Sequence, residues 1–207
     1  DWVRASGDVQ SINEMSNFVL NANYDWNGYT LTSITGYVDY ETDELLDVDY
    51  VGLEILDRTN QSEDYTQWSQ ELRIASPGDE KINFIAGVFF QSGDADVTDQ
   101  VFLGSFLNLA GQPVSALVDS YWDRTYNQTS DLYSVFFQTD IELTERLELT
   151  VGARYSSEDK EGYRQVTLGA LPNNVTPAPV LAALWAGVLN VGAHEISGER
   201  SENSFDP

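Results

Sequence analysis

The sequence predicts an all-β fold, a run of antiparallel up-and-down strands from a transmembrane β-barrel. Three observations predict it. Apolar and polar residues alternate with period two over stretches of about ten residues. The connections between these stretches are alternately short and long. About ten residues, tilted by about 45°, is also the length a strand needs to cross the hydrocarbon of a membrane.

The first strand, over about 17–26, sets Phe18, Leu20, Ala22, Tyr24 and Trp26 on one face and Asn21, Asn23 and Asp25 on the other. Asn27-Gly28 follows, a tight-hairpin pair, because both central positions of a type I′ turn need positive φ. The return strand, over about 29–41, is less cleanly sorted: Leu31 and Tyr37 oppose Ile34, Val38 and Tyr40. After a long connection, 42–64, a third strand over about 65–75 alternates Trp68, Leu72 and Ile74 with Ser69, Glu71 and Arg73. Pro77-Gly78-Asp79-Glu80 turns the chain into a fourth strand, about 81–91, with Phe84, Ala86, Val88 and Phe90 on one face. The connection 92–130 leads to a fifth strand, about 131–142, and a short turn leads to a sixth, about 146–156. There Leu147, Leu149, Val151, Ala153 and Tyr155 oppose Glu148, Thr150, Gly152 and Arg154 in the cleanest alternation of the chain. In the last long connection, 157–203, Leu181, Leu184, Trp185 and Val188 fall at helical spacing and predict one short loop helix near 179–191. That helix is too short to span a membrane.

Every long connection follows an even-numbered strand, so all of them lie at one end of the sheet. Short turns at one end and long loops at the other are the pattern of a membrane barrel. Compact soluble domains rarely carry repeated long loops. The chain opens in what reads as a long-loop tail, 1–15, and ends at 204–207 as a strand beginning. Six strands are too few to close a barrel, for which about eight is the small common size, and open sheet edges do not sit in lipid. Residues 1–207 therefore read as an internal segment of a larger barrel.

Composition narrows the function. Of 207 residues, 34 are Asp or Glu against 10 Lys or Arg, a net charge of −24. That balance argues against nucleic-acid binding, which needs a basic footprint, and against basic docking on anionic lipid. With no Cys, disulfides, thiol catalysis and Cys-ligated zinc are excluded. The single histidine, His194, argues against a Ser-His-Asp triad or a multi-His metal site. Eleven Tyr, nine Phe and five Trp are too many for a chain that never packs. No apolar run approaches the roughly 18 residues of a transmembrane helix. The N-terminal residues show no secretory leader, so either the mature protein starts here or the chain is a piece of a longer one.

Specific stretches then carry a resemblance. They are Tyr29 to Tyr37, Phe84 to Phe90, the Ser69-Gln70-Glu71-Leu72-Arg73 run, and the pattern Leu143-Thr144-x-Arg146-Leu147-x-Leu149-x-x-Gly152-x-Arg154-Tyr155. Together they resemble the barrel of TonB-dependent outer-membrane receptors, and they anchor nearly all six strands. The resemblance implies a barrel of about 22 strands closed by an N-terminal plug. It implies energy-coupled uptake, through TonB, of siderophore-bound iron or another large nutrient across the outer membrane of a Gram-negative bacterium. It implies a transport protein and not an enzyme, with no cofactor. Outer-membrane lipid, the plug, TonB and the nutrient are the implied partners. No plug-like region or TonB box lies in these residues, which places them in the first half of a barrel.

Within that frame Glu71, Arg73, Glu148 and Arg154 are expected to face the lumen. Tyr24, Trp26 and Tyr29 form a candidate aromatic girdle at the first short turn, and Tyr37, Tyr40, Tyr65, Trp68, Phe90, Tyr133 and Tyr155 one at the loop end. Tyr121, Trp122 and Tyr126 read either as an aromatic ligand platform or as the outer extension of the fifth strand; with Trp185 they are the candidate ligand contacts. The first long connection is acidic, with Asp39, Glu41, Asp43, Glu44, Asp47, Asp49, Glu54, Asp57, Glu63 and Asp64 against Arg58. Such density suits Ca²⁺, but no calcium-loop spacing is present. A solvated acidic surface is the simpler reading, and no metal ligand is assigned. Three Asn-x-Ser/Thr triplets, at Asn60, Asn127 and Asn174, are chance matches in such a bacterium. The alternative from another class is a soluble secreted β-sandwich or lectin-like module with acidic, calcium-holding loops.

Overall fold

The computed structural model describes residues 9–207, with the backbone alone at 57 and 58. It contains seven strands: β1 (Gln10–Trp26), β2 (Tyr29–Leu46), β3 (Leu56–Ala75), β4 (Ile82–Leu103), β5 (Ser120–Thr144), β6 (Leu147–Ala170) and β7 (His194–Asp206). They form one antiparallel sheet in which each strand pairs with its neighbours in sequence. The count is thus seven where alternation predicts six. The strands also run well past the predicted bounds. Gln10 to Met15, read as part of a loop tail, pairs with Tyr40 to Leu45; residues 1–8 of that tail lie outside the described residues. The connections shrink correspondingly to 47–55, 104–119 and 171–193. The expected beginning of a strand at 204–207 is instead the end of one, since β7 pairs with β6 from His194 to Asp206. No second sheet packs on this one among the described residues, which removes the β-sandwich alternative.

Register assigns each side chain to a face, because directly opposed residues of an antiparallel pair share one. Phe18, Tyr37 and Trp68 are aligned, as are Phe90 with Tyr133 and Tyr155 with Phe205. All seven lie on the same face, one on each strand. Eight residues further towards the short turns, the same face carries Trp26, Tyr29, Ile82, Ile141 and Leu147. Between these two rows lie apolar residues such as Leu31, Leu72, Val88, Val135, Phe137 and Val151, most of them exposed. The opposite face carries Asn21, Asn23, Thr32, Glu71, Arg73, Gln138 and Arg154. Thr32, Thr59, Asp99, Val101, Ser134 and Val166, all buried strand residues, lie on this polar face, whereas among the described residues the outer face has one, Phe102, at the loop end. The sheet therefore curls with its polar face inside and its apolar face outside.

The apolar band is slanted. The row of Trp26 and Tyr29 continues through Phe84 and Thr139 to Val151, yet the β5–β6 turn closes four residues lower, at Leu147. The upper aromatic row falls equally, since the Trp68 row meets β6 at Asp159 and the aromatic there is Tyr155. A fall of about 13 Å over the five strand spacings from β1 to β6, about 24 Å, corresponds to a strand tilt of about 29°. The band keeps a constant length of about 26 Å along each strand. Tilted barrel strands show this geometry, the band shifting in steps along the strands from one side of the sheet to the other.

The first turn follows its sequence signal. Asn27 has φ 50° and Gly28 φ 86°, and a Cβ at Gly28 would also come within 3.1 Å of Pro77. Ring contacts knit the rows laterally: Trp68 to Phe90 at 5.3 Å and Phe90 to Tyr133 at 4.9 Å above, Trp26 to Tyr29 at 6.4 Å below. Tyr40 and Tyr65 do not belong to the upper row. They sit on the polar face, stacked on each other at 5.2 Å, because Tyr40 is an odd number of residues from Tyr37 and the pleat sends it to the other side.

Candidate functional site

The loop end of the sheet is closed by a cap built from all three long connections. Its core is Leu103, Leu117, Leu181 and Trp185, with Leu56, Leu107, Trp122 and Leu168 packed around them. Helix α1 (Ala178–Leu184) continues into a π turn, Trp185–Leu189. The predicted loop helix is therefore present, and its apolar side is turned downward onto the strands. Trp185 is fully buried. Its indole Nε1 donates to Ser120 Oγ at 3.1 Å, and that hydroxyl donates to the Leu117 carbonyl. The Trp185 ring meets Trp122 edge-on at 5.6 Å. Asn174 Nδ2 donates to the Ala116 and Val118 carbonyls, tying the third connection to the second. Gly104 and Phe106 donate backbone bonds to Ile55 and Glu54, tying the second to the first. In the first connection the Asp49 carboxylate accepts from Val51 and Leu56 backbone amides.

The acidic residues of the predicted first loop are mostly strand residues. Asp39, Glu41, Asp43 and Glu44 lie on β2 and Glu63 and Asp64 on β3, and the pleat deals them to both faces. The side chains of Asp57 and Arg58 lie outside the description. Among the described residues no three carboxylate or histidine side chains converge to hold a metal ion.

Of the four candidate ligand contacts, Trp122 and Tyr126 share the inner face of β5, two positions apart on that face. Trp185 backs Trp122 from within the cap and has no exposed surface. Tyr121 falls on the outer face, packed on Phe102 at 5.2 Å, and so is separated from the other three by the sheet. Glu71, Arg73, Glu148 and Arg154 all fall on the inner face. Glu71 and Arg73 pair at 3.2 Å. Arg154 donates to the Ser134 and Ser156 hydroxyls. Glu148 sits near the last short turn, opposite Glu142.

Charge is sorted by face above the upper aromatic row. The outer face carries Glu41, Asp64, Asp96, Asp131, Glu161 and Glu199, and among its described side chains no lysine or arginine. Arg124, Lys160, Arg164 and Arg200 are all on the inner face, a grouping that alternation alone could not reveal without the register. Asp99 accepts two bonds from Arg124, from Nε at 2.8 Å and from Nη2 at 2.5 Å. The Tyr40 hydroxyl donates to the Glu63 carboxylate, and this bond, with partial burial and the Glu63 charge, pushes the phenol up to about 12. Tyr40 therefore remains a hydrogen-bond donor across the physiological range.

Lys160 lies 2.9 Å from Glu158, and its hydrogen bond holds the Glu158 carboxyl below the usual carboxylate range. A lowered pKa stabilises the fold above the ordinary value of about 4.3 and loses that contribution as pH falls through the lowered one. Lys160→Gln is therefore expected to destabilise slightly above that range and not at all in acid. The difference between wild-type and variant unfolding as a function of pH checks it, and a pH-independent difference would contradict it. The effect is small because both groups are partly solvated.

Comparison with known proteins follows this geometry. Residues 2–188 match the family model described as TonB dependent receptor-like, beta-barrel. No curated protein matches the sequence. Among solved structures, the ferric yersiniabactin uptake receptor FyuA from Yersinia pestis superposes with a TM-score of 0.66 at 13% identity. The match covers 95% of this chain and 25% of FyuA, so the chain spans about a quarter of that receptor's length. CarO of Acinetobacter baumannii aligns over 94% of this chain and 96% of its own at 9% identity, with a TM-score of only 0.27.

Proposed function

The chain belongs to the TonB-dependent receptor β-barrel family, and from that premise we propose that it forms part of the barrel wall of a receptor for energy-coupled uptake across the outer membrane. The observation that carries this reading is the slanted apolar band with an aromatic residue on every strand at its upper edge. A bilayer crossed by tilted strands requires that pattern, and a soluble sheet does not. The short turns then face the periplasm, and the connections 47–55, 104–119 and 171–193 face outward. Glu71, Arg73, Glu148 and Arg154 line the lumen, where they meet the plug that the rest of the receptor supplies together with the TonB contact. Trp122 and Tyr126 are the ligand contacts, held in place by Trp185. The nutrient is siderophore-bound iron or another large molecule.

The test is uptake of a panel of radiolabelled ferric siderophores by iron-starved source cells carrying the whole receptor, its deletion, or a TonB deletion. Accumulation of at least one complex that is lost in both deletions is expected. Accumulation independent of TonB, or recovery of the protein outside the outer-membrane fraction, would refute it.

A further inference from the structure

We infer that the inner wall of β5, β6 and β7 beneath the cap is an oxyanion-binding surface, so that the ligand this receptor admits carries carboxylate or phosphate groups. The inference rests on the receptor reading above and adds the chemistry of what the wall recognises. In a chain of net charge −24, uncommitted positive charge is scarce, and here it is concentrated. Register places Arg124 across from Val166 and His194, Tyr126 across from Arg164 and Ile196, and Ser130 across from Lys160 and Arg200. The inward positions from the Trp122 row down to the Lys160 row on these three strands hold no carboxylate. Asp99, Glu158 and Glu202 lie on the border, and each already holds one of the cations.

Arg164, in the middle, is different. Among the described residues it has no ion-pair or hydrogen-bond partner, although it stands between Tyr126 and Ile196 on a wall whose other cations are all engaged. A guanidinium presents five donors in a planar fork that fits an oxyanion in bidentate fashion. It also lines a cavity of about 400 Å³ with Trp122, Arg124, Val166, His194 and residues 190–193, a volume within the range of small-molecule sites. Just below, Gly162 and Gly198 face each other across β6 and β7. A Cβ at Gly198 would meet nothing within 4 Å. The missing side chains leave a recess between Arg164 and the Lys160–Arg200 row. Trp122 and Tyr126 supply flat apolar surface beside these charges, so the surface suits a ligand with oxyanions at the edge of a planar or apolar body. The acidic outer face of the same strands repels such a ligand from the wrong side of the wall.

The experiment uses the whole receptor, purified in detergent, with three ferric probes: ferric citrate, ferric pyrophosphate and a neutral ferric trihydroxamate. Affinities are read by tryptophan fluorescence at low and high salt, for wild type, Arg164→Gln and Arg200→Gln. Arg164→Gln breaks no ion pair, and folding of each variant is verified by its heat-dependent mobility on gels. Binding of citrate or pyrophosphate, weakened by salt and by at least about tenfold in Arg164→Gln, supports the inference, and which of the two binds identifies the oxyanion. Binding of the neutral complex alone, or anion binding unchanged in Arg164→Gln, overturns the inference and leaves the receptor reading standing. Failure of all three probes to bind, together with loss of TonB-dependent uptake of any ferric complex, overturns both.

Discussion

Replacing Trp185 by alanine is expected to release the cap while leaving the strands beneath it folded. The indole is fully buried, touches Trp122 edge-on and spends its N–H on Ser120. Its removal deletes the largest side chain of a four-residue core and leaves a cavity that the short helix cannot fill by relaxing. Large-to-small changes of this kind cost about 3–5 kcal/mol. The cost falls on a local unit, because this core is where the connections pack on one another and on the strand ends, so a sub-global opening follows. In the full receptor, residues 171–193 of Trp185→Ala should exchange amide hydrogens and be cleaved by protease far faster than in wild type. Protection in β1 to β4 should be unchanged. Trp185→Phe, which keeps most of the volume and loses the bond to Ser120, should fall between. Unchanged protection of 171–193 in the alanine variant would show that the cap is held by its backbone ties alone.

Val135→Arg is expected to be the most costly exchange on the strands themselves. Val135 lies on the outer face in the middle of the apolar band, level with Leu72 and Val88. An arginine there has no inner partner to reach and must be solvated at the centre of the hydrocarbon. Such exchanges on lipid faces cost about 2–4 kcal/mol at the midplane. Gln138→Arg, three residues on and on the inner face, is the control, and it should shift stability by under about 1 kcal/mol. Denaturant unfolding of the receptor in phospholipid vesicles measures both. Equal penalties would mean that the two faces are equally wet, and the membrane reading of the band would be lost.

These two contrasts also explain what was legible in the sequence. Within the band one face meets apolar surroundings and the other water, so period two is written plainly, as in Leu147 to Tyr155. Above the upper aromatic row both faces meet water, and polar residues suit either side. There the pattern that reveals a strand disappears, although pairing continues through Thr42 to Leu46, Asn127 to Ser130 and Glu158 to Arg164. Those segments read as loop, and so does most of β7, whose Ser197 to Asn203 is polar throughout. Parity puts Tyr40 and Tyr65 on the inner face and residue type alone puts them in the girdle, since tyrosine also suits a stacked, hydrogen-bonded inner position. Among the site residues, the aromatic character of Trp122 and Tyr126 was visible. The grouping of Arg124, Lys160, Arg164 and Arg200 was not, because they are spread over three strands and meet only once the register is known.

The constant length of the band along each strand also bears on how such a gene can change. Deleting one codon inside a strand would turn every side chain on one side of the gap to the opposite face, exchanging valines for arginines in the lipid. Deleting two would keep the faces but lift one aromatic out of a row that spans all seven strands. Length variation in descendants of this sequence should therefore collect in 47–55, 104–119 and 171–193, where the pleat has ended. The connections at the loop end are then free to drift while the spacing of the apolar band is inherited almost unaltered.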